Sequence, residues 1–270
     1  MLNMAKSSNL GKVASLCLIT CVAFGQGPGK SVAPTGSPRS TSGADDARFW
    51  GYENTRVWRD VNHDGFVDFC RVIRTHQNHL ALQCTLATGA NIDQIYAGAS
   101  FESEISAEGT LTAGHWAYMT KNDSTWFCRT ISIGGRRGYL SCIPVLDGAF
   151  GTEVRSREAV DLGAASGRAW VDFNADGKPD FCTLVEQRAG VGNLVCHLES
   201  DQTFAEEPIK STQMRWQPIA SMRQWISNSQ GTVNFCTVAG PGNRFVDCVA
   251  SDGKAFGDIH RDLLDHGAVR

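Results

Sequence analysis

The chain has 270 residues, a formal net charge of −3 and ten cysteines. It has no clustered run of Lys and Arg and no aromatic-basic stripe. That argues against nucleic acid as a partner, because phosphate binding needs concentrated positive charge. No stretch reaches the roughly 20 apolar residues that a membrane-spanning helix requires.

Residues 1–25 read as an export signal. Lys6 and Lys12 form the positive start, residues 13–24 the short apolar run, and Ala23 and Gly25 the small residues a signal peptidase needs. Cys21 follows Leu-Ile-Thr, close to a lipoprotein box. Thr20 is larger than the small residue usual there, so lipidation is the lesser alternative. Without the two signal lysines the exported chain carries about −5. Residues 26–47 are rich in Gly, Pro and Ser with almost nothing to bury, and read as a flexible leader. Residues 48–270 are the expected folded domain, secreted to an extracellular or periplasmic space.

Within that domain eight cysteines fall into four close pairs, Cys70/Cys84, Cys128/Cys142, Cys182/Cys196 and Cys236/Cys248. Eight cysteines allow 105 pairings. The periodicity selects the one in which each repeat closes its own pair. Zinc prefers ligands two to four residues apart, so disulfides are expected. The neighbouring residues recur as well. A Trp stands 12 residues before the first cysteine in three copies (Trp58, Trp116, Trp170) and 11 before it in the fourth (Trp225). Phe69, Phe127, Phe181 and Phe235 directly precede it.

A period of about 54 residues marks a propeller or a solenoid, and its short β-branched and aromatic segments, separated by Gly, Asn and Asp, favour an all-β propeller. Each unit is an amphipathic sheet that has to stack to bury its face. Four units either close a four-bladed ring or form part of a larger ring as a homo-oligomer. Each disulfide ties the two strands of a hairpin. Residues 49–57 are expected to pair with the segment after Phe256 and seal the ring. The repeated Trp residues are expected in the core.

Copies one and three carry D-x-N-x-D-G-x-x-D: Asp60, Asn62, Asp64, Gly65 and Asp68, then Asp172, Asn174, Asp176, Gly177 and Asp180. Calcium takes six to eight oxygens at about 2.3–2.6 Å. Alternating Asx side chains, the carbonyl of Phe66 or Lys178 and the final Asp supply them. The carboxylates would repel one another without a cation. Arg71 and Thr183 stand where an EF-hand has its bidentate Glu, so these loops are not EF-hands. Copy two has Tyr118, Thr120, Asn122, Asp123 and Trp126 in the matching positions. Copy four has Ile226, Asn228, Gln230, Gly231 and Asn234. Two calcium ions are therefore expected rather than four, and their role is to fix loops.

These loops, with Gly-Ala-Phe-Gly at 148–151 and Gly-Lys-Ala-Phe-Gly at 253–257, resemble VCBS/FG-GAP-type repeats, the repeats of integrin-α-like β-propellers. The resemblance covers roughly residues 50–260. It implies a propeller with calcium in its blade loops, export, and a role in adhesion or in binding glycans or proteins. The four repeats here are fewer than the seven blades common in that family.

No catalytic set emerges. Gly163-Ala-Ala-Ser166-Gly misses the nucleophile elbow by one position, H-E-x-x-H is absent, and His76 and His79 fall at a predicted hairpin tip. The reading is a secreted calcium-stabilised binding module for carbohydrate or an extracellular protein. Trp126, in the lost metal slot, and Trp216 are candidate exposed platforms for the ligand. A carboxylate-dependent hydrolase and a non-catalytic envelope or accessory protein are the alternatives.

Overall fold

The structure, a computed structural model, describes residues 50–89, 91, 98–105, 114–215, 223–227, 233–239 and 244–263. The expected signal and leader, Trp216, and Asn228, Gln230 and Gly231 of the fourth repeat lie outside the described residues.

The protein is all-β, with one main antiparallel sheet for each repeat. The first sheet runs in sequence order through β1 (Val57–Arg59), β2 (Asp68–Arg74), β3 (Leu80–Thr85) and β4 (Ser100–Ile105). The second holds β5 (Gly114–Met119), β6 (Ser124–Gly134) and β7 (Arg137–Leu146). The outer side of β7 is shared by β8 (Ala149–Phe150), β9 (Val154–Arg155) and β10 (Val160–Asp161). The third sheet begins with β11 (Ala169–Val171), β12 (Asp180–Arg188) and β13 (Val191–His197). A separate small hairpin follows, β14 (Glu199–Ser200) and β15 (Thr203–Phe204), before β16 (Ile209–Lys210) and β17 (Met214–Arg215) return to β13. The fourth sheet is β18 (Arg223–Ser227), β19 (Val233–Ala239), β20 (Phe245–Ser251) and β21 (Phe256–Leu263).

Each cysteine pair sits directly opposite in its hairpin: Cys70 against Cys84, Cys128 against Cys142, Cys182 against Cys196 and Cys236 against Cys248. All four disulfides form as the spacing predicts, with Cα separations of 4.1–4.2 Å. Directly opposed residues in antiparallel strands come this close where the pair is not hydrogen-bonded. Closing a loop of this length stabilises the folded chain by about 3 kcal/mol in the chain-entropy account.

Asp68–Ile73 of β2 and Asp180–Leu184 of β12 are buried, while β19 of the fourth sheet alternates between buried and half-buried positions. The disulfide of each of the first three sheets packs against the repeated Trp of the next. Cys70 and Cys84 meet Trp116, Cys128 and Cys142 meet Trp170, and Cys182 and Cys196 meet Trp225. The remaining clusters likewise join sheet one to two and sheet three to four. Among the described residues no such cluster joins the fourth sheet to the first.

Two expectations need correction. The segment after Phe256 does not pair with residues 49–57 among the described residues. It becomes β21 and covers the edge of its own hairpin, antiparallel to β20, because an adjacent strand closes its loop at less entropic cost than a distant one. The repeated Trp residues are also not equivalent. Trp116, Trp170 and Trp225 pack on core clusters, while Trp58 is 48% exposed and stacks on Phe69 of its own sheet at 4.4 Å. It stands in the first sheet, which has no preceding disulfide to cover it.

Candidate calcium loops and an intersheet cleft

The two D-x-N-x-D-G-x-x-D segments link the first and second strands of sheets one and three and take the same conformation. The backbone turns through left-handed φ at His63 (58°) and Gly65 (87°) in one, and at Ala175 (56°) and Gly177 (90°) in the other. A glycine suits the second position because positive φ strains any residue with a Cβ. At Gly177 a Cβ would also come within 2.7 Å of the Asn122 side chain.

The side chains repeat their contacts just as closely. Asp60 accepts the Asp64 N–H at 3.2 Å and the Gly65 N–H at 2.8 Å, and Asp64 accepts the Phe66 N–H at 2.8 Å. Asp172 accepts the Asp176 and Gly177 N–H groups, each at 2.9 Å, and Asp176 accepts that of Lys178 at 2.8 Å. The amide of Asn62 donates to Asp64 at 2.9 Å, and that of Asn174 to Asp176 at 3.0 Å.

The final Asp of each motif turns inward and is fully buried. Asp68 accepts the N–H of Val61 at 2.9 Å and of Ala87 at 2.8 Å. Asp180 accepts those of Phe173 and Glu199, both at 2.8 Å. Each carboxylate thus ties the start of its loop to the chain beyond the second cysteine. That framing role is one the sequence reading missed.

Burial raises the pKa of Asp68, and the nearby Asp64 and Asp60 charges push the same way against its two N–H donors. Asp180 is pushed up to about 8, chiefly by burial, with Asp176 and Asp172 adding to the shift and the two N–H donors opposing it. Asp172 is raised as well, by burial first. A divalent cation beside these groups would favour their ionised forms. Among the described residues no group of three or more His, Cys, Asp or Glu side chains forms a metal cage. Asn and main-chain oxygens would have to complete the shell, as the motif itself requires.

The side chain of Lys178, whose carbonyl is an expected ligand, pairs with buried Glu199 at 2.8 Å. The second repeat, without the acidic set, buttresses both loops. Asn122 donates to the Gly177 carbonyl at 3.0 Å, Lys121 donates to that of Ala175, and His63 lies 3.6 Å from Asp123.

Trp126 is not a surface platform. It is only 9% exposed, its ring belongs to the cluster joining sheets two and three, and its N–H donates to Ser124 at 3.0 Å. Its place in the metal register carried no information about which neighbouring sheet would cover it. His76 lies at the hairpin tip as predicted, and His79 at its end stands 3.5 Å from Glu104.

A cleft of about 340 Å³ opens between the 156–161 segment of the second sheet and the face of the third, walled by the 204–210 segment. His197 lines it, is 4% exposed, and donates from Nδ1 to the Ala205 carbonyl at 2.9 Å. Burial lowers its pKa and Lys210 lowers it further, while the Ala205 bond and Asp161 oppose the shift. The sequence held one signal for this residue. The position after the second cysteine is Thr85, Ile143 and Val249 in the other repeats, and only the third copy places an imidazole there.

No protein-family model matches the chain, and no curated protein matches it.

Proposed function

We propose that the protein is an exported, calcium-stabilised binding module of the VCBS/FG-GAP propeller type, acting on carbohydrate or an extracellular protein rather than on a bond to be cleaved. One observation carries this reading: two D-x-N-x-D-G-x-x-D loops, 112 residues apart, close on their own N–H groups through the same side-chain hydrogen-bond pattern. Such duplication is what selection for one ion-binding role would preserve. Asp60, Asn62, Asp64 and Asp68 would hold one ion with the Phe66 carbonyl, and Asp172, Asn174, Asp176 and Asp180 the other with that of Lys178. The ion supplies charge neutralisation that stiffens the loop.

Sheets stacked through Trp and disulfide, each stapled and loop-bearing, make a rigid scaffold whose loops are free to bind. Calorimetry tests the ion: two calcium equivalents are expected, falling to one in Asp64→Ala or Asp176→Ala. An absence of calcium heat removes this part. A glycan array and a pull-down from extracellular protein, each run with calcium and with chelator, test the rest. Calcium-dependent retention is expected, and turnover of a substrate without retention would sink it.

A further inference from the structure

We propose that the cleft between the second and third sheets binds a small zwitterion with an apolar body, the chemistry shared by an aliphatic amino acid and a short apolar peptide. At about 340 Å³ it lies at the small end of ligand pockets. Val160, Val195 and Phe204 are buried and form its apolar wall.

His197 is built into the cleft. Its Nδ1 bonds a carbonyl oxygen and so carries the proton, which leaves Nε2 as the acceptor of the neutral ring. Two further lining residues are committed to the framework. Ser156 accepts the Leu140 N–H at 3.0 Å and donates to the Glu158 carbonyl at 2.9 Å. Asp161 accepts the Gly163 N–H at 2.8 Å and faces Arg136 at 3.4 Å.

Three charged groups are not committed. The side chains of Glu158, Glu206 and Lys210 line the cleft, are exposed, and make no hydrogen bond or ion pair among the described residues. A simple anion would meet two carboxylates, and a simple cation would meet Lys210. A neutral polyol would leave all three charges unmatched. A molecule with both an ammonium and a carboxylate answers both signs. Lys210 takes its carboxylate, the glutamates and Nε2 of His197 accept from its ammonium, and its aliphatic part lies on the valines and Phe204.

The cleft contains no residue of the calcium loops, so this inference stands or falls apart from that reading. The test is calorimetry on the oxidised full chain with leucine, with Leu-Leu and with N-acetyl-leucine amide, together with the His197 ring resonances. Leucine or Leu-Leu binds and shifts the His197 signals, and which of them binds tighter separates free amino acid from peptide. The blocked amide binds at least about tenfold weaker. Lys210→Met and Glu206→Gln each weaken the zwitterion by about tenfold, the worth of one charge-assisted bond. Both side chains are exposed, so both variants keep the parent melting temperature. Equal binding of the blocked amide overturns the proposal. So does binding of a neutral sugar where neither zwitterion binds, or the absence of heat and shift with all of them.

Discussion

The indole N–H of Trp116, in the second sheet, donates to the carbonyl oxygen of Thr55, ahead of the first, at 2.6 Å. Trp225 repeats the bond from the fourth sheet to Gly167, ahead of the third, at 2.9 Å. Thr55 and Gly167 each end a single 3-10 turn, Glu53–Thr55 and Ala165–Gly167. The same Trp packs on the preceding disulfide, so one side chain seals the joint with an apolar face and a polar edge.

Replacing either of these Trp residues with Phe keeps most of the apolar contact and removes the bond. Trp116→Phe and Trp225→Phe are each expected to cost about 1–2 kcal/mol in urea unfolding. The two joints share no partner, so the double variant should show the sum. A cost near zero in both would show that the bond does not hold the sheets together.

Asp180→Asn turns an acceptor of two N–H groups into a side chain that points its own N–H₂ at one of them. A loss of about 2–3 kcal/mol is expected above about pH 8, where Asp180 is ionised, and the same for Asp68→Asn. Asp64→Ala, in the exposed part of its loop, should cost less than about 1 kcal/mol in calcium-free buffer. Chemical denaturation with chelator present distinguishes the framing Asp from the outer ones.

His197 has a folded-state pKa below its ordinary 6.5 because burial disfavours the imidazolium. The unfolded chain therefore takes up a proton more readily than the folded one. Its contribution to stability is present above about pH 6.5 and is lost as the pH falls toward the folded value. His197→Asn keeps a donor for the Ala205 carbonyl and removes the proton site. Stability measured from about pH 7 to about pH 5 should fall less steeply in the variant than in the parent. Parallel curves would discount the imidazole.

Trp126→Ala empties a buried position in the cluster between sheets two and three. A loss of about 3–5 kcal/mol is expected, read as a lower unfolding midpoint. An unchanged midpoint would return Trp126 to the surface role its place in the repeat first suggested.

The repeat, the four cystine pairs and the β class were legible in the amino-acid order, because all are local. A hairpin with equal arms brings Cys70 to Cys84, or Cys182 to Cys196, without reference to the rest of the chain. The Asx-Gly pattern likewise determined the shape of both loops, since each closes on N–H groups within a few residues of its own carboxylates. What lies across each sheet was decided only by packing. Trp126 is covered and Trp58 is not, because the first has the third sheet beside it while the second stands where no disulfide precedes. The cleft is tertiary for the same reason. Ser156 and Asp161 belong to one repeat and His197 and Lys210 to the next, and only the burial of two apolar sheet faces against each other brings them to one opening.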